Sequence, residues 1–90
     1  VAALSEISLF YGIRITMNPS NDHDPPHFHA SYNGEEIAVR IDECSVLTGY
    51  FPRKQLRLVI AWAELHQDEL MQNWELGKSD RPLAYIDGLR

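Results

Sequence analysis

Three of the chain's four histidines fall within seven residues, His23, His27 and His29, in the run Asn21-Asp22-His23-Asp24-Pro25-Pro26-His27-Phe28-His29. Imidazole titrates near pH 6.5 and ligates metals when neutral, so a cluster this dense, with two interleaved carboxylates, invites two chemistries. In the first, His23, His27 and His29, with Asp22 or Asp24, offer an N/O set that suits a divalent metal such as zinc, iron or manganese. In the second, His27 and His29 work as base and acid beside an anion held by Arg40 and Arg14, with Ser31 and Thr16 as further donors. That is the logic of metal-independent RNA cleavage. The two differ over Arg40, whose fixed charge beside a ligand would repel a dication. A third reading needs no chemistry and outweighs the other two. The polar face of an antiparallel sheet must carry something, and these histidines, with Arg40 and Glu36, can bond one another or pack on a partner.

The elements that position these side chains can be read from alternation and punctuation. Phe10 to Met17 alternates, with Tyr11, Ile13, Ile15 and Met17 on one face and Gly12, Arg14 and Thr16 on the other, which predicts a half-buried strand. Three prolines among Asx residues (Asn18 to Pro26) then force a rigid loop, and the diproline stiffens the segment that carries His23. His27–Tyr32 and Glu35–Ile41 flank Asn33-Gly34, a pair that accepts the positive φ of a type I′ turn. A two-residue loop sets the register: Tyr32 opposite Glu35, Ala30 opposite Ile37, His29 opposite Ala38 and His27 opposite Arg40. Phe28, Ala30, Ile37, Val39 and Ile41 then face the core. His27, His29, Ser31, Glu36, Ala38 and Arg40 face away. His-x-His on a strand sets both rings on one side, about 6.5–7 Å apart at Cα.

Further along, Asp42–Ser45 reads as a turn and Val46-Leu47-Thr48 as a short strand closed by Gly49. Pro52 opens a helix with Leu56, Val59, Ile60, Ala63, Leu70 and Trp74 on one stripe and Leu58, Trp62 and Leu65 on a second. An almost doubly apolar helix is sandwiched, by the sheet and either the tail or a partner chain. Gly77 is expected to end it, and Leu83–Ile86 to add an edge strand. His66 is expected to pack on Trp62. The whole predicts one α+β domain over residues 1–90: two layers, an antiparallel sheet of three to four strands on one long C-terminal helix, with room for a kink.

The residues Ile7-Ser8-x-Phe10-Tyr11-Gly12-Ile13, the histidine–diproline run Asn21–Ala30, Pro52-Arg53, Trp62–Leu70 and Trp74 together resemble the small bacterial domain-of-unknown-function family numbered 4160. The resemblance spans about Leu4 to Ile86. It implies an intracellular bacterial accessory protein, with Asp22, His23, Pro25, Pro26, His27, Phe28 and His29 as the motif residues. Genes of that family often lie beside another small family, an arrangement that suggests toxin–antitoxin-like pairs. The family usually carries Thr-Gly-Glu where this chain has Glu43-Cys44-Ser45, so the turn lacks its glycine and any role for an acid at position 45 is in doubt.

Composition narrows the classes. With 44% apolar and 23% charged residues the chain is globular, and eight Lys and Arg against thirteen Asp and Glu give a net charge of −5. Net acidity argues against a global field for nucleic acid and leaves only a local site. Cys44 is the single cysteine, which excludes an intramolecular disulfide and fits a cytoplasmic location. Val1-Ala2-Ala3-Leu4 lacks the basic flank and apolar run of a signal peptide, and no stretch is long and apolar enough to span a membrane. Arg53, Lys54 and Arg57, in first helical turns where the macrodipole disfavours cations, suit docking of an anion or an acidic partner, although clustered surface charge is usually just solvated. The leading expectation is a cytoplasmic protein acting through a protein partner or homo-oligomer, with Trp62 and Asp22 among the binding residues. The alternative is histidine-dependent chemistry or binding of a divalent metal.

Overall fold

A computed structural model describes residues 5–90; the signal-peptide reading of Val1–Leu4 lies outside the described residues. Five strands form one antiparallel meander in the order β1-β2-β3-β4-β5, followed by two helices. The strands are β1 (Ser5–Phe10), β2 (Ile13–Met17), β3 (His27–Tyr32), β4 (Glu35–Arg40) and β5 (Ser45–Gly49); the helices are α1 (Arg53–Leu65) and α2 (Gln67–Lys78). The architecture is the expected α+β arrangement of antiparallel sheet and kinked C-terminal helix. No helix among the described residues is long and apolar enough to cross a membrane.

The sheet has one strand more than the alternation predicts. Phe10–Met17 is not a single strand: Tyr11 (φ 50°) and Gly12 (φ 76°) make a tight reversal between β1 and β2. The apolar alternation runs on through this turn, and tyrosine is not a turn-signal residue, so the reversal is hidden in the sequence. Tyr11 accordingly leaves the core face and is 59% exposed.

The β3–β4 hairpin has the expected register throughout, from Tyr32↔Glu35 to His27↔Arg40. Asn33 (φ 48°) and Gly34 (φ 82°) supply the two positive φ angles that the reversal needs. Phe28, Ala30, Ile37, Val39 and Ile41 are all buried on the inner face. There Trp62 of α1 meets Phe28 edge-on, with ring centroids 5.7 Å apart, and Phe10 at 5.3 Å. The turn after β4 places Cys44 at φ 51°, the left-handed region, at the position where the resemblance expects glycine.

The long helix breaks at His66, whose backbone (φ −117°, ψ 25°) leaves the helical region. His66 packs on Trp62 as expected, at 5.5 Å between centroids. Beside the break, Gln67 Nε2 donates to the carbonyls of Ile41 and Asp42 and so ties the helix to the β4–β5 turn. Gly77 does not end α2. It lies inside the last turn, and Asp80 (φ 60°) takes the left-handed cap position, with Arg81 N–H bonded to Leu76 O and Asp80 N–H to Gly77 O.

Leu83–Ile86 forms no strand. The tail is held by side chains instead: Asn73 Nδ2 donates to Ala84 O and Asn73 Oδ1 accepts from Ala84 N–H, at 2.8 Å each, and Trp62 Nε1 donates to Asp87 O at 2.8 Å. A backbone bond from Ile86 N–H to Ile7 O ties it to β1. The second apolar stripe of the helix is therefore met at Trp62 by the tail, while Leu65 stays 71% exposed.

Candidate functional site

The outer face of the sheet carries a half-buried polar patch, and β3 runs through its middle. Rows across it read Arg14–Ser31–Glu36, Thr16–His29–Ala38 and His27–Arg40. Because side chains alternate along a strand, burying Phe28 and Ala30 obliges His27 and His29 to stand outward. Their rings meet at a T, 5.1 Å apart. Ala38, opposite His29, is too small to crowd it.

The loop from Asn18 to Pro26 brings the third group. Asn18 O accepts from both Asn21 N–H and Asp22 N–H, and Ile41 N–H closes on Pro26 O. Between these anchors Asp22 turns its carboxylate toward the strand. Asp22 Oδ2 lies 3.3 Å from His27 Nε2 and 3.3 Å from His29 Nε2. One ligand atom from each of the three residues lies within 4.8 Å of the other two, and this is the group among the described residues able to hold a metal ion.

The other ring nitrogens face acceptors. His27 Nδ1 is 2.8 Å from Pro25 O, a carbonyl that only accepts, so Nδ1 carries the hydrogen. His29 Nε2 is hydrogen-bonded to Asp22 Oδ2 at 3.3 Å, and its Nδ1 lies 3.2 Å from Glu36 Oε2. With its hydrogen on Nδ1, the neutral His27 ring presents a bare Nε2 to Asp22 Oδ2, the same oxygen that His29 Nε2 bonds. A cation between the three atoms would take both Nε2 lone pairs and the carboxylate, with the His29 hydrogen on Nδ1 beside Glu36. A 3.3 Å gap is also longer than the 2.7–2.9 Å usual for charge-assisted bonds. It matches two ligands of about 2.1 Å bond length at a tetrahedral angle, which stand about 3.4 Å apart. A carbonyl or carboxylate on Nδ1 is the usual outer partner of a metal-ligating histidine.

The remaining candidates divide sharply. Arg40 stands opposite His27 but turns away to Asp42, bonding through Nε at 2.5 Å and Nη2 at 3.0 Å. That hydrogen bond first, and the charge after it, holds the Asp42 carboxyl below its ordinary range and raises the Arg40 guanidinium. Arg14 pairs with Glu6 at 3.0 Å. Both guanidiniums that would hold an anion are thus already engaged. His23 is exposed and lies outside the group, as does Asp24. Ser31 is half-buried on the same face, between Arg14 and Glu36. Trp62 is fully buried on the opposite side of the sheet.

Sequence reasoning missed the contribution of α2. The Trp74 ring packs 5.5 Å from that of His27, and Lys78 Nζ donates to Asp22 O at 2.6 Å. No local pattern announces a contact between residues 56 apart in the chain.

Compared with known families, residues 12–75 match the model described as domain of unknown function (DUF4160), a narrower span than the motif residues suggest. No curated protein and no solved structure matches.

Proposed function

This chain belongs to the DUF4160 family, and we propose that it binds a divalent cation through Asp22 Oδ2, His27 Nε2 and His29 Nε2. The observation that carries this reading is the convergence of two Nε2 atoms and one carboxylate oxygen at 3.3 Å, with an acceptor oxygen beside each Nδ1. Two imidazoles and a carboxylate, with no thiolate, suit zinc, manganese or iron(II). Arg40 does not oppose the cation, because Asp42 takes its charge. Three protein ligands leave further coordination positions for water or an oxygen donor, as exchangeable sites do. A phosphate held by Arg14 and Arg40 would first have to break two ion pairs, so metal-free acid–base chemistry is the weaker use of the same histidines.

The test is calorimetric titration of tag-free protein with zinc chloride. Wild type is expected to take up one zinc per chain, Asp22→Ala and His29→Ala to take up none at this site, and Glu36→Gln to bind roughly tenfold more weakly. Undiminished uptake by His29→Ala, or none by wild type, overturns the reading.

A second reading, association with a protein partner in a two-gene module, is supported by the exposed Val46, Leu47 and Tyr50 at the free side of β5. Size exclusion with light scattering, alone and with the neighbouring gene product, checks it; a strictly monomeric species in both runs counts against it.

A further inference from the structure

We propose that the last turn of α2 is the positioning device for Asp22, acting through Lys78 and Gly77, so that cation binding and the docking of this turn form one coupled equilibrium. The inference rests on the metal reading above and adds what governs that site. Asp22 is the one ligand carried by a loop, and that loop is anchored at Asn18 on one side of it and at Pro25 and Pro26 on the other. The peptide carbonyl of Asp22 itself is gripped from outside, by Lys78 Nζ at 2.6 Å. Holding that carbonyl fixes the orientation of the peptide plane next to the Asp22 Cα, and with it the direction in which the carboxylate leaves the backbone.

Two neighbouring contacts make the grip rigid. The Lys78 ammonium stands 4.9 Å from the centre of the Trp74 ring, so the indole restrains it, and the same indole packs on the His27 ring. One turn therefore braces two of the three ligands. Gly77 lets the loop come close enough: a Cβ there would lie 2.5–2.8 Å from three ring atoms of Pro19, three residues before Asp22. This explains why a glycine is kept inside a helical turn, where it otherwise costs stability. Coupling is reciprocal, so if the turn raises cation affinity, the cation must stabilise the turn by the same factor.

The experiment uses the full chain and zinc chloride. Lys78→Met is expected to stay folded and to weaken zinc binding roughly tenfold, the scale of outer-shell substitutions, while Lys78→Arg, which keeps a donor, recovers most of the loss. A purely structural role for Lys78 would lower the metal-free melting temperature and leave zinc affinity unchanged. Hydrogen exchange supplies an independent measure: zinc should slow the amides of residues 75–79 in wild type and leave them unchanged in His29→Ala. Lys78→Met binding zinc as wild type does, or wild type binding zinc with no slowing at those amides, overturns the coupling and leaves the metal reading standing. No zinc uptake by wild type removes both.

Discussion

His27 and His29 are oriented by different means. His27 is fixed by a carbonyl of its own loop and by Trp74, and its side chain is 13% exposed; His29 depends on Glu36, whose carboxylate is 59% exposed. Beside them the Arg40–Asp42 pair shows how a neighbouring charge is removed from a site. The Asp42 carboxyl lies below its ordinary range in the fold, so it favours the folded state above the unfolded value near pH 4, and the contribution fades as pH falls through the lowered value. Asp42→Asn should therefore unfold at lower urea than wild type at pH 7, with the gap narrowing as the pH falls below about 4. Urea midpoints across that range check this, and a gap that widens on acidification contradicts it. Both side chains are open to solvent, so the effect is expected to be small. The alternation of the strand showed that both histidines face outward. It did not show that Asp22, and not the adjacent His23, turns in to meet them, because that choice between two loop neighbours depends on what the loop packs against.

Two glycines in the sheet do different work. Gly34 needs only its positive φ, since nothing lies within 4 Å of where a Cβ would stand. Gly49 also has a positive φ (94°), and there a Cβ would overlap the Glu36 carbonyl oxygen and come within 2.9 Å of Ile37 Cα on β4. Gly34→Ala should cost about 1 kcal/mol and Gly49→Ala about 3 kcal/mol or more, measured by urea unfolding. Equal costs would contradict the close strand approach. Of these elements, the Asn33-Gly34 hairpin and its register were legible because turn chemistry and period-2 alternation agree. The Tyr11-Gly12 reversal was not, since the alternation there reads straight through. The position of the kink at His66 and the tail's attachment to Asn73 were also hidden, because side chains reach from one segment to another there.

Across the molecule, loop, sheet and α2 meet at one small cluster, so filling it should tighten the whole fold. If the proposed cation site is right, zinc at a hundredfold excess over its Kd should add about 2.7 kcal/mol of stability. For a domain of this size that corresponds to a rise in melting temperature of roughly 10–20 °C, absent in His29→Ala. Differential scanning fluorimetry with and without zinc measures it, and no shift at saturating zinc contradicts it. What the amino-acid sequence determined alone was the architecture and the face on which His27 and His29 stand, because helix and strand periodicities and a two-residue turn are properties of adjacent residues. The tertiary structure alone decided that Asp22 completes the group, that Asp42 and Glu6 occupy the two arginines, that the tail covers Trp62 and that Lys78 grips the loop. Those outcomes depend on which distant segments the packed core brings within a few ångströms, and local sequence carries no record of that.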